Sequence, residues 1–193
     1  DAVQQKADRV LETYRLDYQT RLIGMVPGGG TSWGSNAQFK QWAPDRFARV
    51  GAELIRNHSA TLLLLGDRQE RELCGEVAAS LPADSVRVLT SQPLDVLAGI
   101  LKRCSLVVGN DSGPMHLAET VGTRTVSIFG PVDGSVYGPF IQRVSQRVVS
   151  KGLACRPCYR NFRFPPCPWD NHCLKQLPVG PVLEAAISVL ASS

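Results

Sequence analysis

An alternation restricts the fold of this chain more than any other feature. Five short apolar runs, at residues 22–26, 61–65, 86–89, 106–108 and 125–129, alternate with loops and stretches of helical spacing. The runs are near-continuous in apolar residues, as strands buried on both faces are, and the intervening stretches predict helices over about 44–57, 68–81, 94–104 and 113–121. In the first of these, Pro44 suits a first-turn position and Phe47, Val50 and Leu54 fall on one stripe. Strands that alternate with amphipathic helices imply an α/β fold, a Rossmann-like parallel sheet with helices on both faces. A TIM barrel needs eight such units and about 250 residues, and the chain has 193.

Organisation follows from the same pattern. Residues 1–20 read as a polar linker helix with Val3, Ala7, Val10, Leu11 and Tyr14 near a three/four spacing, and residues 21–193 as the domain. After Gly130 the alternation is expected to stop: a Pro- and Cys-rich stretch at 152–175 leads to a last helix near 182–190. A hydrophobic fraction of 44% excludes a disordered or fibrous chain. No apolar run approaches the roughly 18 residues of a membrane span. The first residues lack a signal-peptide core and an initiator Met, and are expected to be cut from something longer. The net charge of +4 is uneven: from Gln142 onward there are seven Lys/Arg against two Asp/Glu. The near-neutral remainder, with scattered aromatics, argues against nucleic acid as a partner.

In open α/β sheets ligands sit outside the carboxyl ends of the strands, so the loops there carry the chemistry. The first, Pro27-Gly-Gly-Gly-Thr-Ser-Trp-Gly34, is neither a dinucleotide fingerprint, because Trp33 stands where the third glycine belongs, nor a Walker A, because no Gly-Lys-Ser/Thr follows. It reads either as a flexible turn or as a backbone cradle for phosphate or sugar through Gly28, Gly29 and Thr31. The loop after the fourth run, Asn110-Asp-Ser-Gly-Pro-Met-His116, starts a helix abruptly. Ser112 suits the N-cap and Pro114 the first turn, which aims the positive end of the helix at the crevice. Asp111 can accept from sugar hydroxyls, and His116 can donate to a phosphate. The plainer alternative is that Asp111 and Ser112 only cap the helix and His116 is a satisfied core histidine. A serine hydrolase is disfavoured because G-x-S-x-G is absent and adjacent Asp and Ser cannot form a relay.

The run Asp111-Ser-Gly-Pro-Met-His-Leu-Ala118, with Gly122-Thr123 and Phe129-Gly-Pro131, resembles the signature of glycosyltransferase family 9, the heptosyltransferases of lipopolysaccharide core assembly. The resemblance covers about residues 21–190 and corresponds to the family's C-terminal, donor-binding domain. It implies the C-terminal half of a GT-B enzyme, inverting transfer of heptose from ADP-heptose, a lipopolysaccharide core acceptor, and no metal for catalysis. It implies a cytoplasmic location at the inner face of the inner membrane. By the same resemblance Lys40 contacts the donor phosphate or sugar, Glu70 holds the nucleoside, and Asp111 binds the donor sugar. Ser112, Gly113, Pro114, Met115 and His116 form the diphosphate turn, and Asp133 stands in Gly-Pro-Val-Asp where the family has Gly-Pro-Thr-Asp. On their own residues, Lys40 is a solvated lysine and Glu70 a first-turn acid favoured by the helix dipole. The family's catalytic base lies in its N-terminal domain, so this chain is expected to hold no catalytic residue and to bind donor without turnover. A UDP-sugar GT-B enzyme and a non-catalytic nucleotide- or metal-binding module are the competing functions.

Four of the six cysteines, Cys155, Cys158, Cys167 and Cys173, follow C-x2-C-x8-C-x5-C. A C-x2-C pair with two further thiols can supply a structural zinc site, with His172 as an alternate ligand, though the second spacing is wider than usual; free thiols are the alternative. Cys74 and Cys104 are expected on helices, as small core residues. The basic end (Arg143, Arg147, Lys151, Arg156, Arg160, Arg163) suits either solvent or anionic lipid at the inner membrane.

Overall fold

The structure is a computed structural model that describes residues 2–140, 145–161 and 163–192, without the side chains of Thr31 and Ser32. Arg143 of the basic end falls outside the described residues.

Six parallel strands form one sheet: β1 (Leu22–Val26), β2 (Thr61–Gly66), β3 (Val86–Thr90), β4 (Cys104–Asn110), β5 (Thr125–Phe129) and β6 (Gln146–Ser150), in the order β3-β2-β1-β4-β5-β6. The helices are α1 (Ala2–Thr13), α2 (Pro44–His58), α3 (Arg71–Ala79), α4 (Leu94–Arg103), α5 (Gly113–Thr120), α6 (Gly134–Tyr137), α7 (His172–Lys175) and α8 (Val179–Ala191). The expected Rossmann-like architecture is present, with the strand order reversing between β1 and β4.

Side-chain alternation explains why the strand sequences are apolar throughout. Ile23, Met25, Leu62, Leu64, Leu106 and Val108 face one buried cluster with Phe47, Val50 and Leu54 of α2 and Val182, Ala186 and Val189 of α8. Leu22, Val26, Leu63, Leu65 and Val107 face the other, with Ala7 and Leu11 of α1, Ile100 of α4 and Met115 of α5. Around β1 and β2 neither face of the sheet is left for solvent, so their central positions are apolar in both registers. At about 25 cal/mol per Å² of apolar surface, each fully buried Leu or Ile contributes about 2 kcal/mol. Helix α1 lies against α4, where a Cβ on Gly99 would come within 2.6 Å of the Ala7 methyl.

The structure departs from expectation in three places. A sixth strand, β6, follows where the alternation was expected to stop. Residues 31–40 of the glycine loop form a 3-10 segment, Thr31–Lys40, kinked at Gly34. Cys104 opens β4 rather than ending a helix, although it is buried like Cys74 on α3, and burial pushes both thiols up to about 12. Among the described residues no helix is long and apolar enough to cross a membrane.

Candidate functional site

The reversal point between β1 and β4 opens a crevice at their carboxyl ends, and three loops meet there. Asn110, the last residue of β4, is fully buried and joins two of them: its Nδ2 donates to Pro27 O at 2.7 Å, and its Oδ1 accepts from Trp42 N–H at 3.1 Å. Pro27 precedes the glycine turn and Trp42 follows Lys40, so one amide fixes both. The Trp42 indole is itself buried and donates Nε1–H to Leu177 O at 2.9 Å.

The glycine turn has a steric reason for lacking side chains. A Cβ on Gly28 would stand 1.8 Å from Glu70 Oε1, and one on Gly29 would stand 2.1 Å from Ala37 O. Glu70 is not a first-turn acid of α3 but the residue before it. Its carboxylate turns back to accept Gly30 N–H at 3.3 Å and Asp67 N–H at 3.1 Å. Burial pushes its carboxyl up, and the two N–H donors pull it partly back. The Thr31 side chain lies outside the described residues.

Lys40 is no solvated lysine: it is 3% exposed. Its Nζ forms an ion pair with Asp111 Oδ2 at 2.7 Å and stands 4.2 Å from the centroid of the Trp33 ring. Burial pushes the ammonium down, and the Asp111 carboxylate opposes that shift. The other Asp111 oxygen lies 3.6 Å from His116 Nε2, and His116 Nδ1 lies 3.6 Å from Glu119 Oε2. His116 is half-exposed rather than a core histidine. Asp111, and secondly Glu119, raise its pKa to about 9, so it is an imidazolium at neutral pH.

Ser112 occupies the N-cap position of α5 as expected, but its side chain makes no capping bond. Its Oγ is buried with no hydrogen-bond partner among the described residues. Pro114 stands in the first turn of the helix, and the N–H groups of Met115 and His116 both donate to Ser112 O, at 3.1 and 3.4 Å. The Met115 side chain is core, facing Gly109 and Val26. What this turn offers an anion is therefore the helix's positive end, the Ser112 hydroxyl and the exposed backbone of Gly113.

Lys40, Asp111 and His116 thus form one constellation, with Ser112 beside Asp111 and with Glu70 under the glycine turn. Asp133 is placed differently. It caps α6 by accepting Ser135 N–H at 2.8 Å and Ser135 Oγ–H at 2.7 Å, bonds that hold its carboxyl below the usual range. It lines a groove of about 670 Å³ with Arg147, Val148 and Arg156 along the outer edge of β6.

Cys155, Cys158, Cys167 and Cys173 line a common small pocket beneath Phe39 and Phe164. Asn171 N–H donates to Cys167 Sγ at 3.3 Å. Among the described residues, however, no three His, Cys, Asp or Glu side chains are grouped so that they could hold a metal ion. Burial pushes the Cys173 thiol up to about 11.

Trp33 and Asn110 are the site residues that no sequence motif marks. Asn110 had one available signal, a polar residue ending an otherwise apolar strand.

Comparison with known proteins finds similar sequences and similar folds. Lipooligosaccharide heptosyltransferase 2 of Campylobacter jejuni is 32% identical over 177 residues, which cover 90% of this chain and 52% of that protein. Among solved structures, the ADP-heptose lipopolysaccharide heptosyltransferase II of E. coli superposes with a TM-score of 0.77 at 21% identity, covering 96% of this chain and 51% of its own. A family 9 glycosyltransferase from Veillonella parvula superposes with the same TM-score at 24% identity, covering 100% of this chain and 52% of its own. The chain spans about half the length of the curated relatives it matches. The model of glycosyltransferase family 9 (heptosyltransferase) matches residues 4–164, and with a match of that extent this chain belongs to that family.

Proposed function

We propose that this chain is the donor-binding part of an ADP-heptose:lipopolysaccharide heptosyltransferase. The observation that carries the reading is the meeting of Lys40, Asp111, His116 and the unpartnered Ser112 hydroxyl at the start of α5. A buried hydroxyl left unsatisfied costs about 1–3 kcal/mol. A diphosphate oxygen would satisfy it, beside two cations and a positive helix end that favour an anion.

In an inverting transfer the acceptor hydroxyl attacks the anomeric carbon as the nucleoside diphosphate departs. The developing negative charge is met by Lys40, the His116 imidazolium and the Ser112–Gly113 turn. Asp111 accepts from the donor sugar, Glu70 from the nucleoside, and Gly28, Gly29 and Thr31 admit the donor's backbone-facing side. Pro114 and Met115 shape the turn from behind, and Asp133, as the cap of α6, is proposed to border the donor. These groups hold the donor and its leaving group. The base that deprotonates the acceptor is supplied from outside these residues.

A thermal-shift panel tests the reading. ADP at a hundred times its Kd should stabilise the chain by about 2.7 kcal/mol, with UDP well behind. A preference for UDP would transfer the proposal to a UDP-sugar enzyme, and indifference to all nucleotides would leave a module acting by interaction alone.

Two further parts belong to the proposal. A structural zinc on Cys155, Cys158, Cys167 and Cys173, with free thiols as the alternative, has their shared pocket in its favour but requires thiols that are not grouped as ligands among the described residues to close on the ion. Elemental analysis showing no stoichiometric metal would remove it. The basic end, with Arg147, Lys151, Arg160 and Arg163, suits the anionic inner membrane surface; vesicle binding indifferent to salt would contradict an electrostatic contact.

A further inference from the structure

The Cys-rich stretch lies behind the 3-10 segment, and the contact between them is aromatic. Tyr159 and Phe164 stack with their centroids 4.8 Å apart. Both pack on the Trp33 ring, at 4.9 and 5.4 Å. The opposite obligation of that indole is Lys40, whose Nζ lies 4.2 Å from the ring centroid and 2.7 Å from Asp111. The stretch is itself anchored to the sheet: the N–H groups of Cys158 and Tyr159 both donate to Pro131 O, at 3.1 and 3.2 Å, and Arg156 donates to Gly130 O and to Val132 O. Asn171 Nδ2 reaches Phe39 O at 3.2 Å, tying the same stretch to the last turn before Lys40. The 3-10 segment has no apolar stripe of its own, so the indole is held by this wall together with Phe129 and Val132 beneath it.

From this chain of contacts we propose that Tyr159 and Phe164 are positioning residues of the donor site: they fix Trp33, and Trp33 fixes the Lys40 ammonium against Asp111. The inference rests on the reading of Lys40 as a donor contact for its consequence, but not for its geometry. A lysine free to leave Asp111 samples many rotamers, and one clamped between a carboxylate and a ring face is preset for an incoming anion. The wall thus makes the Cys-rich stretch part of the donor machinery rather than a decoration of the surface.

The test reads Lys40 directly, by acetic anhydride labelling and mass spectrometry on the full chain, with Lys6 and Lys175 as exposed internal standards. Lys40 should be protected in the wild type and label about tenfold faster in Tyr159→Leu/Phe164→Leu, the factor that corresponds to a lost cation–π contact. The conservative Tyr159→Phe should keep the protection. Trp33→Leu, which leaves the Cys-rich stretch intact, should expose Lys40 as strongly and keeps the test decisive if the double variant fails to fold. Unchanged labelling in Trp33→Leu would overturn the proposal. ADP affinity, measured on the same variants, should fall by about tenfold with Lys40 exposure. If the wild type binds no ADP, the functional reading fails while the labelling still decides the positioning role.

Discussion

Asp111 holds two cations in different ways. Lys40 is buried, so its charge survives there only because the carboxylate is 2.7 Å away. Removing Asp111 leaves the Lys40 charge alone in the interior, a loss of about 3–5 kcal/mol. His116 is 49% exposed on its side chain and gains less from the same carboxylate. Its folded pKa, raised to about 9, lies above the ordinary value of 6.5. The protonated form is therefore bound more tightly in the folded state. Its contribution to stability is complete below about pH 6.5 and is lost as pH rises through about 9. The melting temperature of the wild type should exceed that of His116→Gln at about pH 6, with the gap closing by about pH 10. A gap that stays constant across that range would show that His116 is not held as an imidazolium in the folded chain. The same protonation has a functional side, since an imidazolium can meet a diphosphate and a neutral ring cannot do so by charge.

Among the elements, the two-turn approach to the site depends on a short helix that cannot stand alone. Helix α7 has four residues; the Gln176 N–H serves His172 O and Leu174 O, and further donors to its end come from a side chain on another helix. Arg46, on α2, donates to Leu174 O at 3.0 Å, to Lys175 O at 2.6 Å and to Leu177 O at 2.6 Å. Leu177 O also receives the Trp42 indole, so α2, α7 and the segment after Lys40 close on one another. Arg46→Met should therefore cost about 2 kcal/mol, read as a shift in the urea midpoint with an unchanged slope. An effect below about 0.5 kcal/mol, the range of an ordinary surface change, would mean that α7 is held by its apolar residues alone. The same distinction between local and distant partners decides what could be read from sequence. Strands β1, β2 and β4 were legible because both of their faces are buried, and α5 because Ser112 and Pro114 mark its start. Strand β6 was not. Its Gln-Arg-Val-Val-Ser mixes buried and exposed positions, as an edge strand does, and no helical crossover of ordinary length precedes it. The 3-10 segment carries Gly, Ser and Asn in a composition that reads as loop, and its order comes from Tyr159 and Phe164, more than a hundred residues later. In the site, Asp111 and His116 were visible as a local motif. Lys40 and Glu70 stood out only through family resemblance, because burial and distant N–H donors, not neighbours in sequence, set their roles.

For the molecule as a whole, the question is which half of the reaction these residues can perform. Among the described residues, the charged groups Lys40, His116, Asp111 and Glu70 at the crevice are already committed. Asp111 sits between Lys40 and His116, and Glu70 accepts two backbone N–H groups. A general base needs an unencumbered lone pair within hydrogen-bond reach of the acceptor hydroxyl, and the two Asp111 oxygens already face Lys40 and His116. For a departing diphosphate, the proposed role of the crevice rests on the N-terminal end of α5 and on two cations shared with Asp111. Since the chain spans about half the length of its relatives, the division of labour proposed here assigns leaving-group stabilisation to this half and deprotonation to the other. The 193-residue chain should then bind ADP in calorimetry while forming no heptosylated acceptor above background, as followed by mass spectrometry of the acceptor. Charge at the leaving group without a base still leaves the nucleophile protonated, a deficit on the order of 10²–10⁴ in rate, so turnover at the rate of a complete heptosyltransferase would place the base within this chain and refute the division.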